Sequence, residues 1–488
     1  MIPFGPWTPD QPDFNNPGVT VAKNCIPAAT GYKAFRGFGA LSGAADGWIR
    51  GIGTAKGSDD SINFFAGDAT KLYKFDATDS GLDNVSKSGN YSLGTEDIWN
   101  FVQFGDRVIA SHGHDDILQS YVIGTSSLFA DISGSPAAEY IAVVKDQVVC
   151  ANVKYSSNVH PSRLYWSALD DPTGWTIGTS QSDIQDIADL GNITGIVGGE
   201  IGSVFLERGI VRMSYVGSPL IFQFDKVETS RGCPYSGSIA NVGPVSYYLS
   251  QDGFYVFDGN RSTPIGNERV NKFFFDNFAR NAEYRISAQA DPSNQLIVWS
   301  YPTGSSQDGT PDRLLFYNYV LDKWSFADLE TERLGTIISP GYTLEQLANI
   351  SSSIEDLPGS LDDSLFVGGE YLLAAGKDKK IGIFNASRLE ATIETQELEV
   401  SPGKSSLVTQ VQPYVDFFNE GTTPTVTASI QSRNRHLDSA EYSSATSVTA
   451  DNFIPVRSSG RFHKLKFTIN DFDIAQGFDI TIQERGLR

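Results

Sequence analysis

Short apolar runs rich in β-branched and aromatic residues, separated by Gly, Asp, Asn and Ser, recur along most of the chain. Runs of this kind read as strands bounded by turns, and helical periodicity is nearly absent. The runs also resemble one another. Leu72-Tyr73-Lys74-Phe75-Asp76 and Phe254-Tyr255-Val256-Phe257-Asp258 nearly coincide, with Ile381-Gly382-Ile383-Phe384-Asn385 and Leu315-Phe316-Tyr317-Asn318 as looser versions. The stretch 109–113 leading to Leu118 and Tyr121 lines up with 64–67 leading to Leu72 and Phe75. Anchors at Leu72, Leu118, Leu164, Ile210 and Phe254 stand 46, 46, 46 and 44 residues apart, and steps of 61 and 66 follow to Leu315 and Ile381. A period of roughly 40–50 residues with four short strands per unit is the signature of a β-propeller. The two long steps allow one repeat plus an insertion each, so six to eight blades are predicted. Val270, Phe273, Phe274 and Phe278 have helical spacing and predict one short helix docked on the propeller.

The texture divides the chain into three parts. Residues 1–45, broken by Pro3, Pro6, Pro9, Pro12 and Pro17 and carrying Phe4, Trp7 and Phe14, read as an extended N-terminal arm. Deleting residues 1–20 should then impair assembly more than blade folding. The propeller is expected over 46–390, with a long excursion at 340–364. From 391 to 488, alternating runs at 393–400, 411–417, 426–430 and 465–469 predict a C-terminal β-sandwich-like domain. The fold class is therefore all-β.

Charge narrows the functional classes. Lys+Arg number 37 against 58 Asp+Glu, a net charge of −21. Residues 391–488 hold 9 basic and 12 acidic side chains, a net of −3, so −18 falls in the first 390. Such a surface argues against a groove that grips nucleic acid, which needs clustered cations, but suits a wall past which nucleic acid slides. One basic cluster does occur: Arg433, Arg435, His436, Arg457, Arg461, His463, Lys464 and Lys466. It reads either as a docking face for an acidic partner or as a solvated sheet face. Cys25, Cys150 and Cys233 are too widely spaced for a thiolate metal site and read as reduced thiols of a protein made in a reducing cytoplasm. The N-terminus lacks the pattern of a signal peptide, and no apolar run of about 18 residues predicts a membrane span.

Candidate chemistry is sparse. His112-Gly113-His114-Asp115-Asp116 carries metal-ligand residue types, but it occupies the turn of the repeat, where Gly and Asp have a backbone role. Ser167-Ala168-Leu169-Asp170-Asp171-Pro172-Thr173-Gly174-Trp175 is similar to the structural Asp-box hairpins of sialidase-type propellers. The stretch 76–84 lacks the register of a calcium loop. No phosphate loop, nucleophile elbow or His-Glu-x-x-His is present. No catalytic, cofactor-binding or metal-binding residue is therefore assigned, and neither an enzyme activity nor a cofactor is expected.

Several segments, taken in order, resemble the propeller-type tail hub or nozzle proteins of short-tailed bacteriophages, also called packaged-DNA stabilisation proteins. They are Pro6-Trp7-Thr8-Pro9-Asp10-Gln11-Pro12, Asn16-Pro17-Gly18, Ala22-Lys23-Asn24 and Gly31-Tyr32 near the start. Pro161-Ser162-Arg163-Leu164-Tyr165-Trp166-Ser167 with Asp171-Pro172 and Trp175 follows, then Ile193-Thr194-Gly195-Ile196. Phe205-Leu206-Glu207-Arg208-Gly209-Ile210, Gln251-Asp252-Gly253-Phe254, Gly460-Arg461-Phe462-His463-Lys464 and Gln476-Gly477 complete the series. The resemblance implies a structural virion protein, a homohexameric ring below the portal and head-to-tail adaptor, in contact with other tail proteins such as fibres or a needle. Its channel would retain packaged double-stranded DNA and pass it at ejection without sequence-specific binding. The protein would be made in the host cytoplasm and reside in the virion tail. The rival reading is a glycan-binding or glycan-hydrolysing propeller of a phage tail.

Overall fold

A computed structural model describes residues 1–14, 16–339, 353, 369–417 and 425–485. Among them stand seven four-stranded antiparallel units arranged as the blades of a propeller. The innermost strands of blades 1 to 7 are Gly51–Lys56, Asn100–Phe104, Ala137–Val144, Ile193–Val197, Ala240–Val242, Ser287–Asp291 and Arg333–Ile338. The six complete blades end on Gly81–Asn84, Ala130–Asp131, Asp183–Asp186, Ile221–Glu228, Ser262–Pro264 and Lys323–Asp328. Blade 7 has Tyr371–Lys377 and Lys380–Ile383 after its inner strand and borrows Gly39–Ala40 as its outermost strand, with Gly382 opposite Ala40. The expected excursion at 340–364 lies outside the described residues, Ser353 excepted.

All seven anchors of the repeat are buried third-strand positions or, for Leu118, sit just before that strand. Leu72, Leu118, Leu164, Ile210, Phe254 and Ile381 each pack in a cluster with the next blade round the ring. Leu315 does not. In blade 6 the residues that meet Leu334, Leu373 and Ala375 of blade 7 are Leu314 and Phe316, so this anchor is one position out of register. Strand side chains alternate faces, and a slip of one residue points the wrong one at the neighbour. Around the axis the inner strands approach closely because glycines stand where a Cβ would strike the adjacent blade. Gly335 faces the Ile52 Cβ, and Gly53 faces the Phe101 ring.

The predicted helix forms at Asn271–Asn277 (α1) and lies in the step between the anchors of blades 5 and 6. Its Phe274 stacks on Phe278 and meets Tyr301 at a tilt, while Phe273 meets Trp7 edge-on at 4.9 Å.

The sandwich-like domain has two sheets. One runs in the order Cys25–Ala28, Gly31–Ala34, Phe472–Arg485, Ser405–Phe417 and Ile454–Gly460, with Ile2–Pro3 also on Phe472–Arg485. The other starts at blade 6, whose outermost strand joins Val19–Lys23 through the single parallel pair Phe326 and Lys23. It continues through Ala391–Thr395, Phe462–Asn470, Thr425–Arg433 and Thr446–Ser447. Alternation builds it: His463, Leu465, Phe467 and Ile469 are buried on one face of their strand. Residues 1–45, read from their prolines as an extended arm, supply strands to both sheets and to blade 7. Phe4 and Trp7 are buried in the same cluster as Phe467, Phe478, Trp299 and Trp324, so sandwich and propeller share one core.

Candidate functional site

The seven inner strands enclose an axial cavity of about 360 Å³, with every blade contributing to its wall. At the end where those strands begin, the connections into blades 1, 2, 6 and 7 form a recess that shares Ile98 and Arg333 with the cavity. Trp48, Arg50, Tyr284, Arg285 and Arg333 line it, together with the acids Glu96, Asp97 and Glu332. Each arginine stands at or just before the first residue of an inner strand, which aims its guanidinium across the mouth.

The arginines differ in their partners. Arg285 lies flat on Trp48, its guanidinium carbon 3.9 Å from the ring centroid, and its buried Nη1 has no hydrogen-bond partner. Stacking of this kind holds a planar fork in place while leaving its edge available. Arg333 donates from Nη1 to the Ile286 carbonyl at 3.1 Å. Burial brings its pKa down to about 10, opposed by the nearby Tyr140. Arg50 donates to the carbonyls of Gly94 and Asp97. Burial lowers it too, opposed by Asp97 and reinforced by the Arg285 charge.

The acids of the mouth are engaged elsewhere. Glu332 accepts from the amides of Ile49 at 2.8 Å and Lys379 at 2.9 Å, and burial pushes its pKa up. Asp97 accepts from the Gly94 amide at 2.7 Å. Among the described residues none of the three arginines has a carboxylate within 4.0 Å, whereas Arg163, Arg313 and Arg433 each pair with one.

No protein-family model matches the sequence. No curated protein matches it either. Among solved structures, a quinonprotein alcohol dehydrogenase-like protein from Bacteroides thetaiotaomicron is similar at 12% identity and a TM-score of 0.36, over 57% of this chain and 66% of that one. This chain thus spans just under two thirds of that protein. The dihydro-heme d1 dehydrogenase NirN, in complex with DHE, is similar at 10% identity and a TM-score of 0.35, over 85% of this chain and 80% of that one. AztD from Citrobacter koseri is similar at 10% identity and a TM-score of 0.30, over 62% and 96%. These are distant likenesses. The seven blades rest on the chain's own strand pairing.

The motifs singled out in the sequence are turns. His112 is buried with Nε2 3.1 Å from Asp116 Oδ2, and burial lowers its pKa against the pull of that carboxylate. His114 Nε2 faces the Asn152 carbonyl instead, at 3.0 Å. Among the described residues no three His, Cys, Asp or Glu side chains gather as a metal site. Asp171 Oδ1 accepts from the Thr173 amide and hydroxyl, and the Trp175 indole donates to the Pro172 carbonyl. Asp76 and Asp79 cap the hairpin turn between the last two strands of blade 1.

The basic cluster of the sandwich is largely neutralised from within. Arg433 pairs with Glu397, Arg461 with Glu399, Lys464 with Asp13 and Lys466 with Glu394. His463 is buried, its ring nitrogens 2.8 Å from Ser406 Oγ and 2.7 Å from Ser432 Oγ. The reading as a docking face for an acidic partner loses these cations.

Sequence reasoning missed the three arginines. They stand 22, 30 and 48 residues before the third-strand anchors of their blades (72−50, 315−285, 381−333), so the repeat period does not superpose them. Their common place just ahead of an inner strand would have been the usable signal.

Proposed function

We propose that this chain is a structural component of a short-tailed phage: the tail hub or nozzle ring below the portal and adaptor, which retains packaged DNA and forms its ejection channel. The observation that carries the reading is where the family-like segments fall. They lie in hairpins and at the seam of propeller and sandwich, as expected when a family shares a scaffold rather than a reaction. Phe4 donates its amide to the Gln476 carbonyl at 2.9 Å, Tyr32 donates its hydroxyl to the Gly5 carbonyl at 2.9 Å, and a Cβ on Gly31 would collide with the Ala475 carbonyl. Segments from opposite ends of the sequence thus resemble the family at one joint.

Size sets where DNA would pass. A cavity of about 360 Å³ is on the scale of a small-molecule pocket and far too small for a duplex. The channel of this reading therefore runs between copies of the chain, with six copies forming the ring. The acid excess of the first 390 residues keeps phosphates from adhering to its wall.

Negative-stain imaging of the purified protein with and without portal–adaptor complex tests the proposal. Sixfold rings seated on the adaptor are expected. Particles that stay single in the presence of adaptor, or a preparation that cleaves capsular or lipopolysaccharide glycans, would overturn it.

A further inference from the structure

Three guanidinium groups gathered in one recess, none touching a carboxylate, need an account in a chain that carries 58 acids against 37 bases. Like charges brought together out of water raise one another's energy, and each guanidinium keeps donors that a protein normally satisfies. Nearby acids could have swung in. Instead Glu332 and Asp97 accept from backbone amides, while Glu96 is exposed at the rim. The Nη1 of Arg285 is left buried and without a partner, on a fork already fixed by the Trp48 ring. A fixed donor with nothing to bond is the mark of a site prepared for an acceptor from outside.

The number of forks indicates the class of acceptor. A carboxylate has two oxygens, and one guanidinium can engage both. Three arginines lining one recess from blades 1, 6 and 7 call for a compact group with oxygens on several sides. Behind the recess the axial cavity offers about 360 Å³ of further room, the scale of a small substituent.

We infer that the mouth of the axial cavity binds a small phosphate-class oxyanion, held by Arg50, Arg285 and Arg333 with Trp48 as the backing that positions Arg285. This site concerns a single chain and stands independently of the ring assembly proposed above. The bound anion neutralises the repulsion between Arg50 and Arg285 and ties three consecutive blades together where the ring closes.

Isothermal titration calorimetry on the full chain tests it, with inorganic phosphate as the probe at constant ionic strength in chloride, sulfate as a second tetrahedral anion and acetate as a carboxylate. Saturable one-site binding of phosphate and sulfate is expected, with acetate silent and affinity at least tenfold weaker in Arg285→Gln and Arg333→Gln. If Arg333→Gln does not fold by circular dichroism, Arg285→Gln decides, because its side chain lies at the recess rather than in the blade core. Phosphate heats equal to dilution, acetate binding as tightly as phosphate, or unchanged phosphate binding by Arg285→Gln would each overturn the inference.

Discussion

Trp7 is the side chain on which the joint between the two units turns. It is 1% exposed, donates its indole N–H to the Thr20 carbonyl at 3.0 Å and packs against Phe273 and Phe326. Trp7→Ala should cost about 3–5 kcal/mol, the usual range for removing a buried aromatic, read as a lowered denaturant midpoint. His463 makes a second prediction. Neutral imidazole has one donor and one acceptor, which suits a ring held between two serine hydroxyls. Burial lowers its pKa from 6.5 to about 4. Between those values the unfolded chain binds the proton and the folded one does not. The stability His463 contributes is thus full above pH 6.5 and is lost as pH falls toward 4. His463→Gln should flatten the thermal midpoint over that window, and an unchanged slope would count against it. Neither role was visible in the sequence, where Trp7 was one apolar anchor among prolines and His463 one member of a basic run. Both depend on partners far along the chain.

At the scale of elements, blades were legible because their signal is local. A buried third-strand residue recurs wherever a blade must meet its neighbour, and six of the seven anchors picked by spacing lie on the face that meets the next blade. The failure at Leu315 has a physical reason: in blade 6 Leu314, Leu315, Phe316 and Tyr317 are all buried, so no polar alternation marks which face is which. The first 45 residues were harder still. Apart from the hairpin of Cys25–Ala28 with Gly31–Ala34, their strands pair with segments at 323 and beyond, and prolines hide strands whose partners supply most of the hydrogen bonding. This changes the expected effect of removing residues 1–20. The deletion takes away Phe4, Trp7 and Val19 of the shared core, together with Ile2, which packs against it. Limited proteolysis should then show the sandwich cut while blades 2 to 4 stay protected; an intact sandwich with only assembly lost would restore the arm reading.

For the whole molecule, the charge distribution makes the clearest prediction. With Arg433, Arg461, Lys464 and Lys466 of the sandwich paired internally and a net charge of −21, immobilised duplex DNA should not retain the protein even at about 50 mM salt, where phosphate contacts are strongest. Retention that falls steeply with salt would reveal a cationic track. The site at the axis, in contrast, was illegible because extra residues within blades 6 and 7 shift its three arginines out of phase with the anchors, and only closure of the ring brings them together. That closure also sets a timetable for biosynthesis. Gly39–Ala40 cannot complete blade 7 until residue 383 has been made, and Val19–Lys23 waits for 326 and 391. Blades 2 to 4 can fold as they leave the ribosome, while Ile2–Pro3, Val19–Lys23 and Gly39–Ala40 stay unpaired through most of synthesis, with Phe4 and Trp7 uncovered. The segment that locks the finished protein is therefore the one that chaperones must guard longest.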